Sequence, residues 1–240
     1  MIKVFKLFGI DVLLHWSLVV LFVLVCPTIY SVAMKHNAGS VESAVIAMVV
    51  SVLFVVSVLA HEFAHALAGR RLGIKFSRIT LFALGGMAQM DSGLMSPRVE
   101  FLMAGAGPLC SVGIGGVMWV IGSVFNLGNG LGLVCGFLFS INLLLGLFNG
   151  LAFFLFPSDA ARMLRAGIWG ATGNFTLATR LAARLGQGGA IGFCVLGLVM
   201  ALGVKVPLFG TGVVNGIWTA VIGFFLLNLA TAELKSVKDE

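Results

Sequence analysis

The sequence predicts an all-α polytopic membrane protein, with six transmembrane helices and a small membrane-associated β-hairpin or sheet between the second and third. Three observations carry this. The chain is 60% hydrophobic and 10% charged, with a mean hydropathy of +1.11, a composition that excludes an ordinary water-soluble domain. Its 240 residues match about six spans of roughly 20 residues plus short connections, so one integral-membrane domain covering residues 1–240 is expected. Lastly, Gly73 to Asp91 (GIKFSRITLFALGGMAQMD) does not read as helix. Its Ile74, Phe76, Ile79, Leu81 and Phe82 are mostly strand-forming types, and Gly85-Gly86 is a turn signal.

The elements follow in order. Met1 to Asp11 alternates partly between apolar and polar residues and reads as a short strand or an interfacial arm. No small-residue cleavage site follows a short apolar core, so no removable signal peptide is expected. The first span is placed at Leu13–Met34, bent at Pro27, and a polar connection runs from Lys35 to Glu42. The second span, Ser43–Gly69, has no charged residue from Ser43 to Ala60. After the hairpin come spans at Glu100–Asn126, Leu131–Phe156, Gly188–Val204 and Leu208–Thr231. Between the fourth and fifth, Asn174–Leu185 carries Arg180 and Arg184 at i,i+4 with leucines on another face, and reads as an interfacial helix.

Charge and cysteine content narrow the partners. The net charge is +6, but the basic residues are scattered at helix ends, which points to membrane topology and not to nucleic acid. With the N-terminus inside, the inner segments hold Lys3, Lys6, Arg70, Arg71, Lys75, Arg78, Arg98, Arg162, Arg165, Arg180, Arg184, Lys235 and Lys238. The outer loops hold Lys35 and Lys205. Thirteen against two puts both termini in the cytosol. Cys26, Cys110, Cys135 and Cys194 lie in apolar runs without CxxC spacing and read as small core residues.

The chemistry is concentrated in His61-Glu62-Phe63-Ala64-His65, an HExxH motif at the end of the second span. On a helix, positions i and i+4 share a face, so both imidazoles can reach one zinc ion with a carboxylate beside them. Neutral imidazoles hold the metal, the metal acidifies a water, and Glu62 takes its proton and later delivers it to a leaving amine. The same string also arises in helices as a packing or helix-end feature. Its position in an apolar span shifts the balance, because each ionisable group there costs on the order of 2.5 kcal/mol or more when charged at the bilayer centre. A zinc site needs a third protein ligand. Among nine acidic residues, most fall in loops or at termini, and Asp159 follows the fourth span on the same side as the histidines. The hairpin allows two readings at this point: an exposed edge that pairs with an extended peptide, or a packed hairpin that shields the site.

These motifs resemble the site-2 protease family of intramembrane zinc metalloproteases, and the similarity covers nearly the whole chain. Val58 to Ala66 (VLAHEFAHA) is similar to the family's second-span motif, Leu84 to Ala88 (LGGMA) to its glycine-rich membrane strand, and Ala106-Gly107-Pro108 to the start of its third span. Phe148-Asn149 followed by Phe156-Pro157-Ser158-Asp159 resembles its second catalytic motif. The chain departs from the pattern in that the family's Asp-Gly-Gly-Arg is Asp159-Ala160-Ala161-Arg162 and the proline soon after the asparagine is absent. The stretch from Asn149 to Asp159 is also about two residues longer than in the family. Alanine does not reach positive φ as cheaply as glycine, so the loop carrying Asp159 is expected to differ in shape.

The resemblance implies one zinc per chain on His61, His65 and Asp159, and cleavage of transmembrane segments of other proteins. Neither the PDZ nor the CBS domain that some members carry fits in 240 residues, so a compact form is expected, set in a prokaryotic cell (inner) membrane. Asn149 matches the family's motif asparagine, which implies a hydrogen bond to the developing oxyanion. Gly85, Gly86, Met87 and Ala88 become candidates for substrate binding. His15 reads as a supporting residue that hydrogen-bonds near the site and not as a ligand. Asn142 reads as interhelical glue or a polar support, and Gly105 and Gly107 as permitting close helix packing. Two rivals stand beside the protease. One is a membrane metal transporter or sensor, which needs no base at Glu62; the other is a catalytically dead homologue that binds transmembrane partners.

Overall fold

The computed structural model describes residues 1–240 except 37, 84, 94, 126, 153–157, 207–210 and 237–240. Leu84, the span limits Asn126, Phe156 and Leu208, and the motif residues Phe156 and Pro157 therefore lie outside the described residues. The elements run β1 (Ile2–Leu7), β2 (Ile10–Leu14), α1 (Leu18–Lys35), α2 (Ser40–Arg71), β3 (Lys75–Phe82), β4 (Gly85–Ser92), α3 (Pro97–Val124), α4 (Asn129–Leu151), α5 (Asp159–Thr172), α6 (Phe175–Ala201) and α7 (Val213–Ser236). Among the described residues, six helices are long and apolar enough to cross a membrane, α5 being too short. Many large apolar side chains on them, such as Val45, Leu109, Leu144 and Phe224, are exposed. Lipid is the solvent that accepts such faces. The chain is an integral membrane protein.

The chain falls into two compact units, residues 1–95 with 105–147 and residues 96–104 with 148–240. The first unit holds the sheet, in the order β1-β2-β3-β4. β1 and β2 form a hairpin across Phe8 and Gly9, both at positive φ (50° and 79°), as a two-residue turn between twisted strands requires. The Lys3 ammonium lies 2.7 Å from Asp11 across this hairpin and holds the Asp11 carboxyl below the usual carboxylate range. β2 pairs parallel with β3. A parallel pair needs a long crossover, and here α1 and α2 are that crossover. β3 and β4 are the hairpin expected from the sequence, with Gly86 opposite Leu81 and Ala88 opposite Ile79. Among the described residues β4 is an edge strand.

The end of α2 directs the chain into the sheet. Gly73 adopts φ 89°, its N–H donates to the Arg70 carbonyl, and the Ile74 N–H reaches back to Gly69 at 2.9 Å. This is a Schellman stop, which satisfies the last carbonyls and reverses the chain in three residues. Arg70 donates to the Phe8 carbonyl and the Phe8 ring meets the Phe63 ring edge-on at 6.1 Å. The β1–β2 turn is thereby fastened to the HExxH helix.

Several expected bounds shift. α1 begins at Leu18, not Leu13, because Leu13 and Leu14 extend β2 and pair with Thr80 and Leu81. The expected interfacial helix Asn174–Leu185 and the span from Gly188 are one continuous helix, α6. Its Ala178, Ala182, Ala183, Gly186 and Ala190 are buried, a small-residue stripe that replaces the expected break. α5 was not expected from apolar periodicity. It is capped by Ser158, whose Oγ accepts from the Ala161 N–H at 3.2 Å, and is stopped by Gly173 at φ 70°.

Candidate metal centre

In the first unit, α2 carries His61 and His65 on one face, as the i,i+4 spacing dictates. Their rings lie 4.8 Å apart at 83° and are buried, with 4% and 5% exposure. α3 meets this face with Gly107. A Cβ built there would lie 2.3 Å from His65 Nε2 and 2.7 Å from His61 Nε2. Both Nε2 atoms therefore converge on one small space, which is open because residue 107 has no side chain. This is a different use of the glycine from the helix-to-helix packing expected of it.

One turn further along α3, the buried Ser111 Oγ lies 2.9 Å from His61 Nδ1. With Ser111 accepting the Nδ1–H, the Nε2 lone pair of His61 is left facing the space at Gly107. Sequence reasoning missed Ser111. The only available signal was its i+4 spacing from Gly107, which gains meaning once α3 is known to cross the histidines. Two buried imidazole nitrogens converging on a cradle that a Cβ would fill suit a divalent metal of zinc type, which prefers nitrogen donors and closes its tetrahedron with a carboxylate and an open position.

Glu62 is half-buried and lies against β4. A Cβ at Gly86 would fall 2.3 Å from Glu62 Cγ and 3.0 Å from its Oε1. The start of the edge strand thus rests directly on the carboxylate side chain. Gly85 adopts φ 139°, a conformation that L side chains avoid. Met87 is 63% exposed.

In the second unit, Asp159 is the first residue of α5 and is buried. Ser158 Oγ, besides capping α5, donates to the Ala152 carbonyl at 2.8 Å. A carboxylate in the first turn is favoured by the helix dipole. Arg162 lies one turn on, at 3.9 Å. The alanines that replace the family's two glycines sit in the first turn of α5 and are buried. Phe8 is the only non-glycine at positive φ among the described residues, so neither alanine needs a glycine conformation, and Ala161 packs on Ala230 of α7.

The remaining candidates are placed as follows. Asn149 is half-buried in the last turn of α4. Asn142 is fully buried and donates to Ser57 Oγ at 3.0 Å and to the Leu138 carbonyl at 2.9 Å. It thus ties α4 to α2 one turn before His61. His15 lies in the turn between β2 and α1, not within a span. Its Nδ1 is 2.8 Å from Ser17 Oγ, which in turn accepts from the Ala83 N–H at 3.1 Å. That pair fastens the start of α1 to the β3–β4 turn.

Known proteins share this architecture. No family model matches the chain. It is 30% identical over 234 residues to Rip3 of Mycobacterium tuberculosis, assigned as a zinc metalloprotease, covering 95% of this chain and 57% of that one. It is 32% identical over 199 residues to the zinc metalloprotease MJ0392 of Methanocaldococcus jannaschii, covering 82% of this chain and 54% of the other. The chain thus spans about half the length of the curated relatives it matches. A solved structure, the site-2 protease from Methanocaldococcus jannaschii, superposes with a TM-score of 0.61 at 28% identity, covering 97% of this chain and 94% of that one.

Proposed function

We propose the following function for this chain, which belongs to the site-2 protease family: it is a zinc metalloendopeptidase that hydrolyses peptide bonds within or near transmembrane segments of other membrane proteins. The observation that carries this reading is the convergence of the His61 and His65 nitrogens over Gly107, with Glu62 between them in sequence and under an edge strand. His61, His65 and Asp159 are the residues that would hold one zinc ion. When bound, zinc supplies Lewis acidity toward a carbonyl oxygen and lowers the pKa of water at the site.

The chain's own residues do the rest. Glu62 takes a proton from the attacking water and returns it to the leaving nitrogen. Asn149 donates a hydrogen bond to the carbonyl oxygen as it becomes tetrahedral. A transmembrane helix hides its carbonyls in its own hydrogen bonds, so the substrate must unwind locally, and the edge of β4 at Gly85–Ala88 pairs with the unwound strand. The contact of Gly86 with Glu62 supports this, since a strand added at that edge lies beside the base. His15 and Asn142 support the frame around the site. The basic-residue bias supports a cell-membrane orientation with both termini and the active-site side in the cytosol.

Zinc content and cleavage test this together. The purified chain should carry about one zinc, lost or much weakened in Asp159→Asn and His65→Ala. Glu62→Gln should retain zinc and abolish cleavage of transmembrane peptides, which separates a protease from a metal transporter. Zinc fully retained in Asp159→Asn would show that the third ligand lies elsewhere.

A further inference from the structure

The second unit contains a part-buried ion cluster that the proposed chemistry does not use. Glu100, at the start of α3, is fully buried. Its Oε1 accepts two N–H bonds from Arg165 in the middle of α5, from Nε at 2.9 Å and from Nη2. Arg165 Nη1 donates to Glu233 Oε1, in the last turn of α7, at 2.7 Å. The guanidinium also lies 5.3 Å over the Phe175 ring. Glu100 Oε2 is buried without a hydrogen-bond partner among the described residues.

Such a cluster is a poor device for stability. Desolvating the ions costs about what their attraction returns, and an unsatisfied buried oxygen adds a further penalty. A directional fork does supply geometry, since a guanidinium fixes its partners in one plane and one register. Besides the Trp169 ring, which meets Phe175 edge-on at 4.9 Å, and the Ser158 cap, contacts seating α5 include small apolar ones: Ala161 on Ala230, and Gly170 on Pro97, where an added Cβ would sit 3.3 Å from the proline Cβ. Contacts of that kind resist sliding and rotation weakly. α5 has only 14 residues, and Asp159 stands six residues before Arg165, about 9 Å along the same helix.

We propose that Arg165, gripped by Glu100 and Glu233, is a positioning residue that fixes the register of α5 and thereby presents Asp159 as a metal ligand. The inference rests on the assignment of Asp159 made above. It is tested on the full chain by zinc affinity, from chelator competition, and by the electronic spectrum of the cobalt-substituted protein. The set is the parent, Asp159→Asn, Arg165→Met, Arg165→Lys and Glu233→Gln. Arg165→Met is expected to weaken zinc binding about 10–100-fold, the range seen when an outer support of a ligand is removed, and to change the cobalt spectrum. Arg165→Lys should fall between it and the parent, because an ammonium cannot hold both carboxylates in the planar fork. Glu233→Gln should weaken binding by less than Arg165→Met. Parental affinity in Asp159→Asn overturns the ligand assignment and this inference with it. Loss in Asp159→Asn with parental affinity and spectrum in both Arg165→Met and Glu233→Gln overturns this inference alone. If Arg165→Met does not fold, Glu233→Gln, which keeps the Arg165–Glu100 pair, decides by the same criteria.

Discussion

Gly107 and Ser111 show how much of the metal centre depends on residues that carry no metal-binding chemistry. Gly107→Ala would place a methyl group 2.3 Å from His65 Nε2. It should lose zinc with both histidines intact, and overpacking of about 1–3 kcal/mol should lower the unfolding midpoint as well; metal analysis and thermal unfolding read the two effects separately. Ser111→Ala removes only the partner of His61 Nδ1. Its expected signature is zinc affinity reduced about 10–100-fold with little change in fold, measured by chelator competition. Unchanged affinity would mean that the His61 tautomer is fixed without the serine. The His61/His65 pairing was legible from spacing alone, because i and i+4 share a face on any helix. Gly107 and Ser111 were not, since their roles depend on which helix crosses that face.

β4 and α5 are the elements that the proposed function draws on most. Any side chain at Gly86 meets the Glu62 side chain, so a substitution there disturbs that carboxylate as well as the strand edge. The strand-addition idea is better tested from the substrate. Methylating alternate backbone nitrogens of a transmembrane peptide should raise KM several-fold when they face β4, as each methyl removes a net hydrogen bond of about 0.5–1.5 kcal/mol. Equal KM for methylation on either alternation would remove the strand from substrate binding. The β3–β4 hairpin was readable from its residue types and its glycine pair. α5 was not, because its 14 residues are too short and too polar for a span and its apolar face is set by the packing of Ala161. Glycines and arginines suggested a break in α6, yet small side chains at helical spacing let it continue into the membrane.

Across the whole molecule, the Lys and Arg bias predicts sidedness. In right-side-out cells an impermeant thiol reagent should label Glu42→Cys directly and Lys75→Cys only after permeabilisation. The reverse pattern would place the active-site side outside. Two compact units, each with its own packing, share α3 and α4 between them.

Amino-acid types and their spacing alone determined the membrane class, the apolar helices, the hairpin after the second span and the shared face of His61 and His65. Each is a local consequence of composition or periodicity. Tertiary structure decided the parallel pairing of β2 with β3, the room that Gly107 leaves for two imidazoles, the Ser111 partner of His61 and the grip of Glu100 and Glu233 on Arg165. These join residues far apart in the chain, and such contacts are chosen by packing, which no local pattern encodes.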